Sequence, residues 1–178
     1  QSYVKARDWL ERAAEGGLAY AQAALGSYYH FGREGVAIDL PRARMWNEKA
    51  AAQGHAGAQY NLGCMHRDGQ GGPQDFTRAR ELLELAAAQG HAEAQCNLGH
   101  MHYDGQGGPQ DFTRARELFE LAAAQGDAGT QFNLGCMHRH GEGGPQDFTR
   151  ARELFELAAA QGDADAQFNL GFMHYEGQ

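Results

Sequence analysis

GGPQDFTRARELFELAAAQGD occupies residues 107–127 and recurs unchanged at residues 143–163. Identity over 21 consecutive positions at an offset of 36 marks an internal repeat. A period of this size points to stacked supersecondary units, none of which can bury its apolar face alone. Working outward, Leu62-Gly63, Leu98-Gly99, Leu134-Gly135 and Leu170-Gly171 recur every 36 residues, as do Gly54, Gly90, Gly126 and Gly162. Leu25-Gly26 precedes the next such pair by 37, which puts one additional residue in the loop between Gly32 and Asp39.

Each unit reads as two helices. In the first, Ala58, Leu62 and Met65 follow one another at steps of four and three, the spacing of a single helical face. Gly69, Gln70, Gly71, Gly72 and Pro73 then stop that helix, because glycine relaxes the backbone and proline cannot extend the hydrogen-bond ladder. Asp75 is placed to cap the next helix by accepting from its unpaired amides, and Asp39, Asp111 and Asp147 repeat the cap. The second helix carries Phe76, Ala79, Leu82, Leu83 and Ala86 in one stripe and stops at Gly90, placed as a left-handed C-terminal residue. Helices this short are marginal alone, so neighbours must hold them. Glycine inside a helix costs about 1 kcal/mol relative to alanine. Its presence at Gly26, Gly63, Gly99, Gly135 and Gly171 therefore implies close approach of the paired helix.

Composition narrows the function. Of 178 residues 42% are hydrophobic, which is ordinary for a folded domain. Serine occurs only at Ser2 and Ser27 and lysine only at Lys5 and Lys49, so little nucleophilic chemistry is on offer. Four prolines and no alternating Val/Ile/Thr runs argue against a β protein. The net charge of −8, with both signs interspersed, makes nucleic acid a poor partner. No stretch approaches the ~20 apolar residues of a membrane span, and no basic-then-apolar leader opens the chain. The compartment is not legible. Three cysteines without close pairing do not form a disulfide framework.

The pattern resembles the Sel-1-like repeat (SLR), a relative of the tetratricopeptide repeat. The first complete unit carries the resemblance at Ala21, Leu25-Gly26, Tyr29, Gly32, Gly35-Val36, Asp39, Ala43, Trp46, Lys49-Ala50-Ala51 and Gly54. Later units keep the skeleton, but the family Trp becomes Leu82, Leu118 and Leu154. The family Tyr becomes His66, His102, His138 and His174, and the Val becomes Gly72, Gly108 and Gly144. The resemblance implies an all-α fold, a right-handed superhelical α-α solenoid of about five repeats. Residues 1–17 would be the second helix of a preceding repeat, followed by repeats at 18–54, 55–90, 91–126 and 127–162 and a first helix at 163–178. Such a layout reads as a piece of something larger, with Leu170, Phe172 and Met173 lacking a covering helix. The resemblance also implies a scaffold or adaptor between proteins, or alternatively a permanent structural subunit of a larger assembly, peripheral to a membrane complex in one version. Some SLR proteins bridge paired helices with cysteines. Here Cys64 and Cys136 lie two repeats apart and Cys96 sits elsewhere on its helix, so all three are expected as free thiols.

Near-identical repeats act as their own control. On the first helix the differences fall two before the Leu, two after it and five after it, on one face. That face reads Tyr60, Cys64, Arg67; Cys96, His100, Tyr103; Phe132, Cys136, Arg139; and Phe168, Phe172, Tyr175. First helices line the concave surface of tetratricopeptide-like stacks, so these twelve residues are the candidate partner-binding stripe. Tyr60, Phe132 and Phe168 are read first as packing between neighbouring first helices. Arg67, Tyr103, Arg139 and Tyr175 suit a partner equally well, since aromatic residues and arginine dominate interface hot spots.

Other sites fare worse. His66, His102, His138 and His174 form a ladder, but repeat spacing holds them too far apart for ~2.0–2.1 Å bonds to one ion. His100 and His140 add no carboxylate-supported site. The loop from Gly69 to Asp75 lacks the lysine of a phosphate loop and the carboxylates of a calcium loop. Ser27 has no triad partners. Arg78, Arg80, Glu81 and Glu84 read as a solvated outer face. The expectation is a protein-binding module with no catalytic residues, metal or cofactor.

Overall fold

A computed structural model describes residues 2–32 and 37–177, with side chains from residue 7 onward. Among the described residues ten helices follow in order: α1 (Ser2–Glu15), α2 (Ala19–Phe31), α3 (Leu40–Ala52), α4 (Ala56–Asp68), α5 (Phe76–Ala88), α6 (Ala92–Asp104), α7 (Phe112–Ala123), α8 (Ala128–His140), α9 (Phe148–Ala160) and α10 (Ala164–Glu176). No strand occurs among the described residues. The chain divides into two compact units, Gln1–Ala94 and Gln95–Gln178, with the division falling early in α6.

Within the first unit α2 packs on α3, α3 on α4 and α4 on α5; within the second, α7 packs on α8, α8 on α9 and α9 on α10. Helices α3, α4, α8 and α9 therefore touch both their hairpin partner and the adjoining repeat. The expected apolar stripes are the buried ones. Ala58, Leu62 and Met65 of α4 meet Ala79, Leu82, Leu83 and Ala86 of α5 inside the first unit. In the second unit Phe119, Leu134, Met137 and Leu154 share one cluster, and Ala151, Phe155, Ala166 and Met173 another. Met173 is fully buried against α9, contrary to the expectation that it would lack cover, whereas Phe172 is exposed as expected.

Local chemistry fixes the helix ends. Asp39, Asp75, Asp111 and Asp147 each accept, through Oδ1, the amide of the residue three ahead at 2.9–3.0 Å. The backbone N–H of the same aspartates donates to Tyr29, His66, His102 and His138, at 2.8–2.9 Å, so the cap also consumes an orphan carbonyl of the preceding helix. Gly90 takes φ +84° just past the end of α5, the conformation its position requires.

The glycine after each buried leucine is a contact surface. A Cβ on Gly63 would stand 2.9 Å from Cγ of Leu83, one on Gly99 2.8 Å from Cε1 of Phe119, and one on Gly135 2.6 Å from Cε1 of Phe155. At Gly26 it would meet the Asn47 side chain at 2.7 Å. Gly171 faces nothing within 4 Å.

Two polar ladders recur along the chain, one closing each hairpin and one crossing between repeats, and neither was foreseen. Gln53 donates to Gln22 and Gln89 to Gln59 in the first unit; Gln125 donates to Gln95 and Gln161 to Gln131 in the second, all at 2.7–2.9 Å. The acceptor glutamines are themselves buried, and Gln22, Gln59 and Gln131 reach back to carbonyls at the end of the previous second helix, as in Gln22 to Ala14 at 3.0 Å. Amides buried this way must be paired, because an unmatched buried polar group costs about 1–3 kcal/mol.

The second ladder corrects the reading of the outer-face arginines. The side chain of Arg80 is only 12% exposed, so it is not a solvated surface charge. Its repeat equivalents Arg44 and Arg116 are 13% and 12% exposed. Arg44 donates to the His66 ring at 3.0 Å and Arg116 to the His138 ring at 2.8 Å, each across a repeat boundary inside one unit. A Cβ on Gly72 or Gly144 would collide with the Nη1 of Arg44 or Arg116. The glycine replacing the family valine is what lets the guanidinium in. Burial first, and the adjacent arginine second, hold His66 and His138 below the ordinary histidine pKa, so the rings stay neutral acceptors.

Candidate functional site

The twelve variable positions fall on α4, α6, α8 and α10, three to each helix, because steps of four and three keep them on one face. In the first unit Tyr60 stacks on His91 with ring centroids 4.8 Å apart. Cys64 is half-buried, and Arg67 is bonded to Asp68 at 2.8 and 3.2 Å.

In the second unit the nine remaining positions divide into four kinds: packed, internally bonded, exposed and groove-lining. Phe132 packs on the second helix of its hairpin rather than between first helices, 5.7 Å from the Phe155 ring of α9. Arg139 is spent internally: it donates to Asn169 at 3.0 Å and Glu176 at 3.2 Å, lies over Phe172 at 4.9 Å, and is 15% exposed. Phe168 corrects the packing expectation, being 73% exposed, and Tyr175 is 89% exposed. Phe172 is also exposed, while Cys96 is half-buried on the Phe119 cluster.

Between these lies a groove. His100 and Tyr103 of α6 and Asn133, Cys136 and Met137 of α8 surround a cavity of about 180 Å³ above Phe119, closed at one end by Glu142 from the following loop. Tyr103 donates its hydroxyl to both carboxylate oxygens of Glu142, at 3.1 and 3.2 Å, and sets its ring edge-on to Phe112 at 4.9 Å. Asn133 Nδ2 donates to His100 Nε2 at 3.3 Å. Burial, reinforced by Glu142, holds the Tyr103 pKa above its ordinary value, so the hydroxyl stays protonated and donating. Burial pushes the Cys136 thiol up to about 11, which leaves it protonated and a poor nucleophile. All three cysteines are free thiols. No group of three His, Cys, Asp or Glu side chains among the described residues could hold a metal ion, and no described helix is long and apolar enough to cross a membrane. Sequence reasoning missed Glu142, which differs from Gln70 and Gln106 at the same loop position, and Asn133, which does not vary.

Repeats of helix pairs with a 36-residue period and a Leu-Gly contact in each are matched, end to end, by the family profile described as Sel1 repeat, at residues 1–18, 19–55, 56–91, 92–127, 128–163 and 164–178. The chain belongs to the Sel1 repeat family. Its fold is an all-α solenoid of the SLR type, shared with c5321, a protective antigen of uropathogenic Escherichia coli (TM-score 0.92, 37% identity, 96% of this chain and 36% of that one). A Sel1 repeat protein of Oxalobacter formigenes is also similar (TM-score 0.84, 35% identity, 95% and 49%). An immunity protein of Pseudomonas aeruginosa aligns more distantly (TM-score 0.57, 25% identity, 91% and 58%). The chain thus spans between a third and about half of the first two relatives. No curated protein gives a significant match. In Sel1 terms, the invariant positions build the hairpins and the varying ones gather on the first-helix face.

Proposed function

We propose that this Sel1 array is a non-catalytic protein-interaction module, a scaffold or adaptor that engages partner proteins through the first-helix face. The observation that supports this best is the separation of constancy from exposure. On the first helices, constant positions such as Leu62, Met65, Leu98, Met101, Leu134 and Met137 are buried, whereas the varying face carries exposed Phe168 and Tyr175 and the groove beside Tyr103. Exposed aromatic side chains supply large contact area at little entropic cost, which is why they anchor interfaces. A permanent place in a larger assembly would use the same face and is not separately favoured.

The test is site-specific photo-cross-linking. A benzophenone amino acid at Phe168 or Tyr175 is compared with one at Glu117 or Glu153 on the second helices, in extracts of the source cells. Discrete adducts from the first pair are expected, reduced by unlabelled wild-type chain added in trans but not by the chain carrying Phe168→Ala with Tyr175→Ala. Adducts arising equally or exclusively from the second-helix positions would refute the assignment. Arg139→Ala is a poor probe, because Arg139 ties α8 to α10.

A further inference from the structure

We propose that the cavity between α6 and α8 receives a lysine or arginine side chain of the partner protein. The inference rests on the protein-interaction reading above and names the chemistry that the groove selects.

The groove is a property of the repeat, because it occurs twice. In the first unit a cavity of about 220 Å³ is lined at the same repeat positions by Ser27, His30, Asn61, Cys64 and Gln70, in place of His100, Tyr103, Asn133, Cys136 and Glu142. Its floor is polar Asn47 where the second unit has Phe119. The architecture is thus constant and the lining is what changes. Drug-sized ligands occupy about 300–1,000 Å³, so a cavity of about 180 Å³ suits one side chain of a larger partner.

Hydrogen-bond accounting then selects the kind of side chain. The Tyr103 hydroxyl is engaged by Glu142 and one of the two Asn133 amide N–H groups by His100, while the full charge facing the groove is the acceptor Glu142. Acceptors remain. An ionised carboxylate offers about four lone-pair sites, and Glu142 receives one proton from Tyr103. Glu142 makes no ion pair among the described residues, so its charge has no internal counter-ion. A cationic donor entering the groove meets that charge and lies beside the Tyr103 ring, which favours a cation by its quadrupole. Phe119, Cys136 and Met137 offer apolar surface to the methylene stem behind the charged head. The first-unit cavity lacks this combination. Gln70 is neutral, and the carboxylate that does line it, Asp68, is already held by Arg67 at 2.8 and 3.2 Å.

The probes are Nα-acetyl-lysine amide, Nα-acetyl-arginine amide and the uncharged Nα-acetyl-norleucine amide, titrated into the whole chain labelled at methionine methyls. The Met137 methyl shift is followed, with Met65 as the first-unit control. Both cationic amides are expected to shift Met137 saturably and leave Met65 in place, while norleucine amide binds about tenfold or more weakly. Glu142→Gln, which keeps an acceptor for Tyr103, is expected to remove that discrimination. Added salt is expected to weaken the cationic amides alone, a readout that needs no variant. Norleucine amide binding as well as the cations would overturn the inference in favour of an apolar anchor, and an unmoved Met137 would overturn it outright. In either case cross-links from Phe168 and Tyr175 would leave the interaction module standing, whereas their absence would remove that reading independently.

Discussion

Alanine introduced at Gly135 and at Gly171 makes the same chemical change at the same repeat position, and the structure predicts stabilisation only at Gly171. Exchanging a mid-helix glycine for alanine gains about 1 kcal/mol from backbone entropy alone. At Gly171 nothing lies within 4 Å of the new methyl, so the whole gain should appear. At Gly135 the methyl would stand 2.6 Å from Cε1 and 2.8 Å from Cδ1 of Phe155, a ring with no exposed surface and no room to withdraw. Overpacking of this kind costs about 1–3 kcal/mol, which cancels or exceeds the propensity gain. The two variants should therefore differ by about 1–3 kcal/mol in urea unfolding followed by far-UV circular dichroism. In a Phe155→Ala background, which removes the ring, Gly135→Ala should turn stabilising by about 1 kcal/mol. Equal effects at the two glycines, or an unchanged penalty once Phe155 is gone, would refute the close-approach argument.

The remaining predictions follow from the ladders and caps. Gly99→Leu, with Phe119 Cε1 2.8 Å from its Cβ, should lower the unfolding midpoint more than any alanine exchange in the series. His66 and His138 have pKa values lowered in the fold from an unfolded value of 6.5, so their contribution is complete above that value and is lost as the pH falls through the folded pKa. His66 faces Arg44 and Arg78 against Asp75 and Glu48; His138 faces Arg116 and Arg150 against Asp147. His66→Gln with His138→Gln should flatten the loss of thermal stability below about pH 6.5, and an unaltered slope would contradict it. Gly144→Val should expel Arg116 and destabilise the chain, but be tolerated in an Arg116→Ala background; equal cost in both would dissociate the two residues. Asp147→Ala should cost about 1 kcal/mol by chemical denaturation, with rescue by Asn but not by Leu.

The hairpins were legible because period, cap and apolar stripe all depend on residues near one another in sequence. Asp75, Leu62 and Gly63 announce their roles by spacing alone. The polar ties were not legible, since Arg116 and His138 are 22 residues apart on different hairpins, and Gln125 and Gln95 are 30 apart at the open end of one hairpin. An arginine one turn from other charges looks solvated until the neighbouring repeat is laid over it. The substitution of Gly144 for the family valine was visible, but its cause was not, because the atom it admits belongs to α7. On the candidate face, sequence variation identified the right helix surface. It could not separate Arg139, consumed by Asn169 and Glu176, from Tyr175, which projects into solvent.

The account requires consecutive 36-residue modules to hold one another through equivalent contacts, so that any one can be removed in register. Excising residues 92–127 joins His91 to Ala128 and preserves every type of contact, whereas excising residues 92–109 pairs the wrong faces. Helical content per residue and unfolding cooperativity, measured for both, are the direct test. A cooperative, fully helical product from the first excision and collapse of the second are expected; comparable products from both would contradict the account.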